Sequence, residues 1–139
     1  MFLLDTNILS GMMRVPPVPQ VANWLAEQDL DRVYTAAVSQ AEIFAGLAIM
    51  PDGRRRRDLE AAARGMFLDD FDGRILPFNQ LAANSYADMF AANRHAGRAP
   101  AIIDLMLAAI AHSNGASIVT RNVVDFTACG VPIINPWDM

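Results

Sequence analysis

The segment Met1-Phe2-Leu3-Leu4-Asp5-Thr6-Asn7 constrains this chain more than any other. Three large apolar residues run straight into an acid, a hydroxyl and an amide. A short apolar run bounded by polar residues reads as a buried strand. Asp-Thr-Asn then reads as a turn into a helix, because each of these side chains accepts hydrogen bonds from free backbone N–H groups. In open parallel sheets, ligands bind beyond the carboxyl ends of the strands. Asp5 is therefore either a helix cap or the first ligand of an acidic site.

The same rhythm, short apolar strands alternating with helical stretches, continues to the end of the chain and predicts an α/β fold with a parallel sheet. Strands are expected at 2–4, 33–35, 74–77, 117–120 and 131–134. Helices are expected after Asp5, over 18–27 and over 39–47. A polar helix carries Arg54, Arg55, Arg56 and Arg57 and ends near Phe71, and two more helices run from 79 to about 94 and from 100 to 112. Ser39 with Glu42 has capping-box spacing, and Asn79 has the chemistry of an N-cap. In the fifth helix Leu81, Tyr86, Met89 and Phe90 form the expected buried side. At 139 residues the chain reads as one domain, 1–139, with no repeat and no linker.

Composition removes several classes of chemistry. All eleven basic residues are Arg. Without Lys there is no phosphate-binding P-loop and no Schiff-base chemistry. His95 and His112 fall on separate helices, which argues against a zinc site. No serine lies in a nucleophile elbow. The net charge of −4 argues against broad, unassisted binding to nucleic acid. Acids that hold metal ions are counted in the same total, so a nuclease stays open. The single Cys129 forms no internal disulfide. No apolar run approaches a membrane span, no targeting segment is evident, and the expected location is cytoplasmic. The 53 % hydrophobic content predicts an apolar surface for a partner, with a second copy of the chain foremost.

Of fifteen acidic residues, most have polar neighbours and belong on a solvated surface. Four stand apart. Asp5 follows Phe2-Leu3-Leu4, Glu42 lies between Ala41 and Ile43, Asp104 lies between Ile103 and Leu105, and Asp125 lies in Val123-Val124-Asp125-Phe126. An acid inside an apolar run must cap, pair or bind metal, because an isolated buried carboxylate is costly. Each of the first three has a capping role available: Asp5 before its helix, Glu42 in the box with Ser39, and Asp104 in a first turn where the helix dipole favours an acid. Yet three strand-to-helix junctions carry an acid, and in a parallel sheet such junctions gather on one edge. Oxygen ligands without His or Cys suit Mg²⁺ or Mn²⁺.

At this point the sequence resembles a known family. FLLDTNILS at the start, Ser39-Gln40-Ala41-Glu42 with Gly46-Leu47, Asp104 followed by Ala108-Ala109-Ile110-Ala111, Thr120-Arg121-Asn122-Val123-Val124-Asp125-Phe126 and Val131-Pro132-Ile133-Ile134-Asn135-Pro136-Trp137 stand in family order. Together they resemble a PIN-domain protein of the VapC/FitB type, the toxin half of type II toxin–antitoxin pairs. The resemblance implies a Rossmann-like parallel sheet with helices on both faces. It also implies a Mg²⁺- or Mn²⁺-dependent endoribonuclease acting on RNA. Carried over residue by residue, Asp5, Glu42 and Asp104 match the metal-binding acids and Thr6 the hydroxyl beside them. Asn122 falls where many relatives have a fourth Asp. An amide there offers a neutral oxygen but no charge for a second metal. Asp125, three residues on, either substitutes for it or caps the turn 121–126, the latter being favoured.

The resemblance further implies a homodimer, a small VapB-like antitoxin that wraps the toxin, and contact with DNA only through that antitoxin. The run Arg54 to Arg57 reads first as a solvated helix face, because four consecutive residues point around a helix rather than along one side. Arg94, Arg98 and Arg121 are the stronger candidates for RNA contact. A second functional reading is a catalytically weak PIN module whose main role is dimerisation and antitoxin binding, and Asn122 keeps it open. A DNA-directed nuclease is a third, weaker reading.

Overall fold

The computed structural model describes residues 1–139. Its centre is a five-stranded parallel sheet: β1 (Phe2–Leu4), β2 (Val33–Ala36), β3 (Ile75–Leu76), β4 (Ser117–Val119) and β5 (Ile133–Ile134), in the order β3-β2-β1-β4-β5. The chain builds outward from β1 through β2 to β3, then returns to the other side of β1 for β4 and β5. The order therefore reverses between β1 and β4. In the register there, Leu3 stands opposite Ile118 and Leu4 opposite Val119.

Six helices cover the sheet: α1 (Thr6–Met13), α2 (Pro19–Ala26), α3 (Ala37–Ala48), α4 (Arg54–Gly65), α5 (Gln80–His95) and α6 (Ile102–Asn114). Strand alternation sorts the apolar side chains into two cores. Leu3 and Ile118 enter one, with Leu105, Leu107, Ile110 and Met89 of α6 and α5. Leu4 and Val119 enter the other, with Ile8, Leu9, Val21, Trp24, Ile43 and Phe67. A parallel sheet covered on both faces has no solvent side, so its strands read as unbroken apolar runs. Fully burying one such Leu is worth about 1.5–3 kcal/mol. The α/β class, the parallel sheet and its five strands all appear as expected.

Two sequence expectations fail. The capping box of Ser39 and Glu42 does not form: α3 starts two residues earlier, its N-cap is Ala36 with no side-chain cap, and Ser39 is buried inside the first turn with its Oγ unpartnered. The strand-to-helix change is so abrupt that Ala36 ends β2 and caps α3 at once. On α5 the buried residues are Ala82, Met89 and Asn93. Leu81 and Phe90 are 63 % and 46 % exposed, because α5 packs on α6 through small residues and turns its larger ones outward.

Candidate active site

Asp5 ends β1 and begins α1, and the fold fixes it from every side. Its backbone N–H donates to Val119 O at 2.9 Å, continuing the ladder between β1 and β4. Its Oδ1 accepts from the Thr6 N–H at 2.7 Å, capping α1. Its Oδ2 accepts from Asn7 Nδ2 at 2.9 Å and from Thr120 Oγ1 at 2.8 Å. Thr120 follows β4, so the carboxylate spans the gap where strand order reverses, the usual ligand crevice of an open α/β sheet. Asp5 is both a helix cap and a crevice acid.

Asn7 and Thr120 carry the arrangement outward. Asn7 Oδ1 accepts the Arg121 N–H at 3.2 Å, and Thr120 Oγ1 accepts the Asn122 N–H at 3.0 Å while donating to Asp5. The segment after β4 is thus tied to the Asp5 carboxylate by two side chains. Sequence reasoning gave neither Asn7 nor Thr120 a role. The missing signal was the pairing of β1 with β4, 115 residues apart.

The acids singled out by sequence form one electrostatic neighbourhood. Asp5 is 6 % exposed; burial pushes its carboxyl up, against the lowering hydrogen bonds from Thr120, Thr6 and Asn7, and the negative Glu42 pushes it further up. Asp104, half-buried in the first turn of α6, is raised to about 6, by burial first and then by Asp5, Asp125 and Glu42. Like charges held close in a desolvated site resist ionising together. Glu42 is exposed on α3 and its side chain takes part in no hydrogen bond or ion pair. Thr6 uses its backbone to cap, and its Oγ1 is buried without a partner. Asn122 is exposed, immediately before a short turn (Val123–Asp125), and makes no side-chain cap there. The Asp125 carboxylate accepts no hydrogen bond, so the favoured capping role is not seen. Its charge acts on Asp104 instead.

No three His, Cys, Asp or Glu side chains converge as they would around a fully protein-ligated metal. Mg²⁺ makes no such demand. It keeps several of its waters and binds through one or two carboxylates and substrate phosphates. The donors here, carboxylates and a free hydroxyl, suit a hard cation of that kind.

The PIN domain model matches residues 2–126. VapC ribonuclease Y4jK of Sinorhizobium fredii is 37 % identical over 138 residues, 99 % of each protein. Toxin FitB of Neisseria gonorrhoeae is 34 % identical over 137 residues, again 99 % of each. The solved structure of FitAB bound to an IR36 DNA fragment contains a chain that superposes with a TM-score of 0.91 at 34 % identity, covering 100 % of this chain and 97 % of that one. The chain belongs to the PIN-domain family and, within it, to the group of VapC and FitB.

Proposed function

We propose that this protein is the toxin of a type II toxin–antitoxin pair and a Mg²⁺- or Mn²⁺-dependent endoribonuclease. The observation that carries this reading is the Asp5 carboxylate, buried in the β1/β4 crevice beside the charges of Glu42 and Asp104. Buried acids that repel one another are costly to leave unneutralised, and a divalent cation removes that cost. The printed name of the Sinorhizobium relative, a ribonuclease, and that of the Neisseria relative, a toxin, point the same way.

Asp5 and Asp104, with Glu42, are the residues that would hold the cation. Bound there, it would supply an acidified water and a polarised phosphodiester. Asp5 has little freedom: three donors fix its two oxygens, so it orients whatever it holds. Glu42, exposed and unpaired, orients the attacking water or takes its proton at a carboxylate oxygen. Thr6 Oγ1 has hydrogen-bonding capacity left for a water or a phosphate oxygen. Asn122 adds a neutral amide that orients water without adding charge.

Around this site we place a VapB-like antitoxin, a homodimer, RNA as substrate, and DNA reached only through the antitoxin. The FitAB–DNA complex supports such an assembly by likeness. Exposed Phe90 and Ile102, which line a hollow with Tyr86 between α5 and α6, offer an apolar face to a second copy. No helix is long and apolar enough to cross a membrane, in keeping with a cytoplasmic role. The alternative, a weak PIN module that chiefly dimerises and binds antitoxin, draws on the amide at Asn122. The two readings separate on purified protein incubated with total bacterial RNA. Discrete cleavage with Mg²⁺ or Mn²⁺ that stops with chelator supports the nuclease. Intact RNA under every metal condition supports the module.

A further inference from the structure

The arginines of this chain divide sharply by partner. Arg54, Arg56 and Arg57 are engaged by Asp58, Glu60 and Asp52. Arg55, in the middle of the same run, is in no ion pair. It lines a cavity of about 350 Å³ together with Thr6, Ser10, Arg14 and Glu42. A second cavity of about 340 Å³ is lined by Asn7, Ser10, Arg14, Arg121 and Trp137. Arg14 and Ser10 belong to both. The Arg121 guanidinium lies over the Trp137 ring, 4.9 Å from its centroid, and neither Arg14 nor Arg121 has a carboxylate partner.

These positions follow from α1. Thr6, Ser10 and Arg14 are spaced at four-residue intervals, so they run down one side of the helix away from the acidic crevice. With a rise of 1.5 Å per residue, Arg14 stands about 12 Å from Thr6 along the axis, beyond the span of a single phosphate group at the acids. A groove thus crosses α1, with acids and the free Thr6 hydroxyl at its head and three unpaired guanidiniums along it. In a chain of net charge −4, unpaired arginines gathered along one groove are a local exception to the prevailing field. Guanidinium forks bind phosphate bidentately, and a guanidinium laid flat on an aromatic ring leaves its other face for a base to stack on.

We infer that Arg14, Arg55 and Arg121 grip single-stranded RNA on either side of the cleavage point: Arg14 and Arg55 hold backbone phosphates, and Arg121, stacked on Trp137, receives a flanking base. This rests on the ribonuclease reading. Cleavage takes place at the acids, while the arginines set affinity and register.

The test uses Arg14→Ala, Arg55→Ala and Arg121→Ala in the full chain, with Arg54→Ala as an exposed, paired control. Binding of a fluorescent single-stranded RNA is read by anisotropy in chelator, where no cleavage intervenes, and kcat and KM are read with Mg²⁺. Each of the three variants is expected to weaken binding by about five- to tenfold and to flatten the logarithmic salt slope by about 0.7. KM should rise more than kcat falls, and Arg54→Ala should stay within about twofold of wild type. Trp137→Phe, which keeps a ring beneath Arg121, should bind better than Trp137→Ala. The inference is overturned if the three variants bind RNA no worse than Arg54→Ala. It is also overturned if they lose affinity for a poly-glutamate peptide but not for RNA, which would make the groove a peptide site. Loss of binding without any cleavage by wild type would uphold the grip and count against the nuclease; cleavage with unaltered binding would do the reverse.

Discussion

Asp5 and Glu42 are electrostatic neighbours on different kinds of support. Asp5 sits at the junction of β1 and α1, is 6 % exposed, and satisfies Thr6, Asn7 and Thr120. Glu42 stands on the open surface of α3 with no partner, in a helix whose start does not need it. The first acid is part of the frame as well as of the chemistry. The second has only its charge and its position to contribute. Changing one should disturb fold and activity together; changing the other should separate them.

The sharpest break in this contrast is Asp5→Ala. It removes the cap of α1, worth about 1 kcal/mol, and strands the Thr120 hydroxyl and the Asn7 amide, at about 1–3 kcal/mol. Urea denaturation should show a loss of about 2–4 kcal/mol, together with complete loss of RNA cleavage. Glu42→Gln should cost about 100-fold or more in kcat while urea denaturation stays within about 0.5 kcal/mol of wild type. An equal loss of stability in both variants would dissolve the distinction.

The smallest expected effect lies at Asp104, between the two in burial. Its folded-state carboxyl is raised to about 6 from 3.8. Below about pH 4 it is protonated in folded and unfolded chains alike and its contribution is fully present. As pH rises through 6 the folded protein must ionise it at a cost, and that contribution is lost. In chelator, therefore, wild type should lose stability relative to Asp104→Asn between about pH 4 and pH 6. Half-exposure screens the effect to about 1 kcal/mol. Thermal denaturation of both proteins across that range measures it, and saturating Mg²⁺ should shrink the difference.

Much of this was legible in the sequence, and the exceptions are instructive. Phe2-Leu3-Leu4 and Ser117-Ile118-Val119 announce strands because a doubly covered sheet imposes one apolar requirement on both faces. Asp5, Glu42 and Asp104 stood out because each interrupts such a run. What stayed hidden depends on distant pairing. Thr120 looks like any strand-ending threonine until Leu4 is set against Val119. Arg55 is indistinguishable from its three neighbours until their carboxylate partners are known. Glu42 appeared to have a capping role because Ser39 has the right spacing, but Ala36 starts α3 first. Leu81 and Phe90 were assigned to the core because apolar spacing cannot tell a core from a partner-facing surface. Asp125 shows the limit of reading a turn locally, for it caps nothing and instead adds its charge to the field at Asp104.

The most direct measurement is Asp5→Asn, a change that keeps the cap and the hydrogen-bonding oxygen but removes the charge. Thermal denaturation and cleavage of RNA in Mg²⁺ are read on the same preparation. The expected result is a midpoint unchanged or slightly raised, because a desolvated charge has been removed, with cleavage reduced at least about 100-fold. A folded Asp5→Asn protein that still cuts RNA in a metal-dependent way would show that the crevice acid is only a helix cap.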